Sequence, residues 1–147
     1  MLVEFEKELI ATIKEVCENT KPYLGEFEDK NEMELLIKGG ESFVFIEFVG
    51  EKYEDYVNKV ATYNIHILTA TSSKQQSYRQ ENKYNCLDMC EQIDKKLKNV
   101  VLNNEFGVEL GTLKVLHNSI TDYGYIYVLS REIQTSFREK DEWLEGN

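Results

Sequence analysis

Nine residues, Ser42 to Gly50 (SFVFIEFVG), constrain this chain more than any other stretch. Phe43, Phe45 and Val49 point to one side of an extended strand, and Val44, Ile46 and Phe48 point to the other. A strand that is apolar on both sides needs material packed above and below it. The pattern therefore predicts a central strand in a layered domain. Only Glu47 breaks it.

Length and charge set the frame around that strand. A chain of 147 residues, 41% hydrophobic and 30% charged, is globular and long enough for a single substantial core. We expect one domain over residues 1–138 and a charged tail over 139–147, whose apolar anchors are Trp143 and Leu144. No apolar run approaches the ~20 residues that a membrane span needs. The opening MLVEFEKELI carries acids and lacks a basic lead, so no signal peptide is expected and the chain reads as cytosolic when made. The net charge of −10, with its few bases unsegregated, argues against direct contact with a nucleic acid backbone.

The remaining elements follow from periodicity. Leu2, Phe5, Leu9, Ile13 and Val16 make one apolar stripe, predicting a helix over residues 3–18 that Asn19-Thr20-Lys21-Pro22 stops. Asn31 to Lys38 predicts a short helix capped by Asp29 or Asn31 and ended by Gly39-Gly40, with Met33, Leu36 and Ile37 inward. A strand over Glu34–Lys38 is the competing reading. Lys59 to Thr71 predicts a long strand, antiparallel to the first. Ala61, Tyr63, Ile65 and Ile67 share one of its faces; Thr62, Asn64, His66, Leu68 and Ala70 share the other. His66, on the more polar face, reads as a hydrogen-bonded surface histidine. Ser72 to Lys83 is polar and aperiodic and reads as a solvated loop, or as a segment that orders on a partner.

A second long helix begins at Tyr84, with Leu87, Cys90, Ile93 and Leu97 as its stripe. Asn103 to Gly107 is a turn. Two strands, Thr112–Thr121 and Tyr125–Phe137, then flank the hairpin turn Asp122-Tyr123-Gly124. Together these elements predict an α+β fold: a mixed, mainly antiparallel sheet with two main helices packed on it.

The chemistry-bearing residues are sparse. Three cysteines in a chain without a leader argue against a disulfide framework. Cys86 and Cys90, four apart on one helix, read as buried thiols. His66 and His117 would complete a zinc set by count, but they sit far apart in separate strands. Phosphate-cradling loops, H-E-x-x-H and G-x-S-x-G are all absent. Neither a catalytic residue, a cofactor site nor a metal site is expected.

The element order, with Pro22-Tyr23-Leu24-Gly25-Glu26, Phe43–Gly50 (FVFIEFVG), Asn64–Ser73 (NIHILTATSS) and the Thr121–Phe137 hairpin, resembles the tail terminator (tail-completion) proteins of Mu-like phages and prophages. The likeness is architectural and spans nearly the whole chain; Cys86 and Cys90 belong to no pattern in it. It implies a sandwich-like virion structural protein without catalytic residues. Such proteins form a homo-oligomeric ring, commonly hexameric, at the head-proximal end of the tail. The ring meets tail tube or sheath and head-completion proteins, after assembly in the bacterial host cytoplasm. The long terminal hairpin would then supply subunit contacts at Tyr125, Tyr127, Leu129, Arg131 and Ile133, on a face that a monomer would leave partly open. Two other functions compete. One is a small-molecule or peptide-binding domain with Tyr63, Tyr125 or Tyr127 as platform. The other is a metal enzyme built on Cys86, Cys90 and a histidine.

Overall fold

Five strands form the frame, in the order Thr20–Pro22, Phe43–Tyr53, Asn58–Thr71, Gly124–Arg138 and Glu109–Thr121 across the sheet. A computed structural model describes residues 1–139. The strands are β1 (Thr20–Pro22), β2 (Phe43–Tyr53), β3 (Asn58–Thr71), β6 (Glu109–Thr121) and β7 (Gly124–Arg138). β4 (Val101–Leu102) and β5 (Phe106–Gly107) make a separate small hairpin. Only β1 pairs in parallel; β2 with β3, β3 with β7 and β7 with β6 are antiparallel. With helices α1 (Leu2–Ile13), α2 (Lys30–Gly39) and α3 (Gln76–Leu97), this is the expected α+β fold.

The centre of the sheet is β3, not β2. Ile65 and Ile67 on one face of β3, and Leu68 on the other, are fully buried. The apolar stretch Phe43–Gly50 is instead buried only through Ile46, and Phe48 and Val49 are exposed. Its two-sided greasiness reflects two different clusters. Val44 and Ile46 join the α1/α3 core, while Phe45 packs with Leu36, Ile37, Leu68, Ala70, Ile126 and Val128 under α2. Beyond Ile46 the cover ends.

On the first face, α1 lays down its predicted stripe. Phe5, Leu9 and Ile13 are fully buried, and the Phe5 ring meets Tyr63, Phe106 and Phe137 at 5.1, 5.8 and 6.1 Å. Each such side chain contributes about 1.5–3 kcal/mol of hydrophobic burial. The helix ends at Ile13, short of residue 18, because the chain must turn to pair. Thr20 Oγ1 donates to the Cys17 carbonyl at 2.6 Å, and Val44 N–H donates to the Asn19 carbonyl at 3.0 Å. Residues read as a helix stop thus become a three-residue edge strand.

Helix α3 starts well before Tyr84 and takes in most of the segment expected to be a loop. Glutamine, arginine, glutamate and lysine are good helix formers, so the sequence Gln76–Lys83 suits a helix. Its apolar period is hidden because the one inward position there is a polar residue, Asn82. That side chain donates to the Thr69 carbonyl while Thr69 Oγ1 donates to the Asn82 carbonyl, both at 3.0 Å. The buried stripe runs Asn82, Cys86, Cys90, Ile93, Leu97, and Tyr84 is exposed.

Helix α2 forms as expected, with Asp29 Oδ1 accepting from the N–H groups of Asn31 and Glu32 and Gly40 left-handed at the C-cap (φ 62°). Asp122 and Tyr123 make the β6–β7 turn. Gly124 follows at φ 142°, where a Cβ would run into the Thr71 carbonyl. At the far end Glu139 N–H donates to the Val57 carbonyl at 2.7 Å, so the first residue of the expected tail is tied to the sheet. Trp143 and Leu144 lie outside the described residues.

Candidate functional site

Helix α2 covers only one end of its face of the sheet. Past that end lies a cleft of about 430 Å³. Asn64, His66 and Ser130 form its floor; Tyr23 and Phe27, from the segment before α2, form one wall; Lys114, Leu116 and His117 of β6 form the other. Glu47, the one polar residue inside the apolar stretch, enters it beside His66.

His66 is buried, 4% exposed, which corrects the expectation of a surface histidine. Tyr23 and Phe27 pack on its ring edge-on at 5.5 and 5.4 Å. Its Nε2 lies 2.7 Å from Glu47 Oε1. A carboxylate accepts, so Nε2 carries the proton. Burial pushes the His66 pKa below its ordinary value, and the Glu47 contact opposes this less strongly. The ring is neutral near pH 7, which leaves Nδ1 a bare acceptor. Among the described residues Nδ1 has no partner, and neither does the Oγ of Ser130, the residue directly across the β3–β7 pair. One hydroxyl, of water or of a ligand, could donate to Nδ1 and accept from Ser130.

The residues expected at a subunit interface lie elsewhere. Tyr125, Tyr127, Leu129 and Ile133 are buried in the α1/α3 core. Arg131 is held by Asp94 of α3 through two hydrogen bonds, 3.0 Å from Nε and 2.6 Å from Nη2, while Nη1 donates to the Gly111 carbonyl at 2.8 Å. The chain's own helices cover this face. The same burial removes Tyr63, Tyr125 and Tyr127 as a binding platform. The hairpin's uncovered part is β6, where Val115, Leu116 and Ile120 are exposed.

The cysteines sit where the sequence suggested. Cys17, Cys86 and Cys90 are free and buried. Burial pushes the thiols of Cys86 and Cys90 up to about 11. Among the described residues no cluster of three or more histidine, cysteine or acidic side chains could hold a metal. No helix there is long and apolar enough to cross a membrane.

No protein-family model matches the chain, and no curated protein matches it. Among solved structures it is similar to the core region of PilO from the type IV pilus system of Pseudomonas aeruginosa. The identity is 12%, over 81% of this chain and 97% of that one, and the TM-score is 0.39. A likeness at that level carries neither a fold assignment nor a function.

Proposed function

We propose that the chain is a non-enzymatic, ring-forming structural subunit, a tail terminator of the kind found in Mu-like phages and prophages. The observation that carries the self-associating part is β6. It is a 13-residue edge strand whose outer side has no neighbour among the described residues. It also holds only two charges, Glu109 and Lys114, in a chain that is 30% charged. Monomeric proteins usually protect such an edge with short length, charge or cover. The placement at a tail end rests on the family resemblance alone. Purified tail tubes from the encoding phage or prophage, incubated with tagged protein and imaged by electron microscopy, provide the test. Label at one tube end is the expected result; label along the wall or nowhere would refute the tail role.

The cleft beside His66 favours a second reading, a small-molecule-binding domain. Ligand-observed magnetic resonance with a panel of small polyhydroxylated compounds separates the two. Saturable binding that is lost in Ser130→Ala, without any assembly, would put this reading first.

A further inference from the structure

The β6 edge has a counterpart on the opposite side of the sheet. Strand β1 pairs with β2 only at Val44, Phe45 and Ile46, and the Tyr23 N–H bond to the Ile46 carbonyl is the last in that register. From Glu47 to Tyr53 the outer edge of β2 has no strand neighbour among the described residues. The two open edges differ in sequence but match in layout. Each offers two large exposed apolar side chains on the α1/α3 face: Phe48 and Tyr53 (44% and 52% exposed) on β2, Val115 and Ile120 (53% and 56%) on β6. In both strands the two are five residues apart, and in both a register irregularity between them keeps the pair on one face. It lies between Phe48 and Gly50 in β2, and between Val115 and His117 in β6. Each pair therefore spans about 13 Å.

Strand direction agrees. β2 and β7 run one way and β3 and β6 the other, so a sheet continued from β6 of one copy into β2 of the next is antiparallel.

We propose that copies of this chain join head to tail by antiparallel pairing of β6 with the open half of the next copy's β2. Ile120 then lies opposite Phe48 and Val115 opposite Tyr53. The occupant of each edge is a second copy, because this pairing covers both edges of every subunit. A two-fold β6–β6 contact would leave Phe48 and Tyr53 in water. A head-to-tail contact is heterologous, and closing it yields a ring. The inference rests on the self-associating reading above and supplies its interface.

Disulfide trapping tests it. The chain's own thiols are buried, so the parent treated with diamide should show no cross-link. The double variant Phe48→Cys/Ile120→Cys should give a ladder of covalent multimers on a non-reducing gel. An equal mixture of the two single variants should stop at dimers. A second pair, Tyr53→Cys/Val115→Cys, covers the case in which the first perturbs folding, with thermal melting as the check. Dimers from Ile120→Cys alone would mean two-fold β6 pairing and overturn the proposal. Assembly without a ladder from either pair would also overturn it, while leaving the ring reading standing. A ladder combined with no binding to tube ends would keep the pairing and remove the tail role.

Discussion

Arg131 on β7 and Asp94 on α3 are locked together by two charge-assisted hydrogen bonds, and the same guanidinium reaches the Gly111 carbonyl on β6. One side chain thus fastens the long helix to both strands of the terminal hairpin. Asp94→Asn keeps the shape but removes the charge from a largely buried pair. It should cost roughly 1.5–3 kcal/mol in chemical denaturation. A loss below a few tenths would mean that the contact is solvent-screened.

Helix α3 gives a paired test of its true stripe. Ile93→Asp places a charge in the core and should cost several kcal/mol, enough to threaten folding. Tyr84→Asp lies on the exposed side and should move the melting point little. Equal sensitivity at both positions would contradict the orientation of the helix.

His66 should make stability depend on pH. Its folded pKa is lowered, first by burial. The unfolded chain takes up a proton near pH 6.5, where the folded chain still refuses it. The His66 contribution is therefore fully present above about pH 6.5 and is lost as pH falls toward the folded value. The difference in unfolding free energy between parent and His66→Gln should shrink through that window. A magnetic resonance titration placing His66 above its ordinary pKa would show that the Glu47 pair outweighs burial.

The thiols should be unreactive and no metal should be needed. With Cys86 and Cys90 pushed up to about 11 and buried, thiol reagents at pH 8 should act at least tenfold faster after denaturation than before. Chelator should leave the melting curve unchanged. Zinc bound one per chain, with unfolding on its removal, would overturn this.

Much of the fold was legible because period and turn chemistry were strong. Phe5, Leu9 and Ile13 announced α1, Asp29 and Gly39-Gly40 bracketed α2, and the alternation from Ala61 to Ile67 placed the right residues on the core face. The failures share one cause, tertiary context. The start of α3 was invisible because Asn82 is buried by hydrogen bonds to Thr69 rather than by hydrophobicity. Apolar content marked Tyr125, Tyr127 and Leu129 as sticky, but alternation alone cannot say whether the chain's own helix or a neighbour covers a face. For the cleft there was a signal: Glu47 interrupting an apolar strand. Its meaning needed the β2–β3 register, which sets it beside His66 on one face.

Sedimentation velocity at low and moderate salt, with and without purified tail tubes, tests the central claim that β6 is a subunit edge. At −10 per chain, subunits repel at long range, so association should strengthen as salt screens them. The parent should shift from 17.2 kDa to one discrete multimer as salt and concentration rise, or onto tube ends, and Ile120→Lys should remain monomeric with an unchanged melting point. A parent that stays monomeric at every salt and binds no tube end, or an Ile120→Lys variant that assembles as well as the parent, would contradict the account.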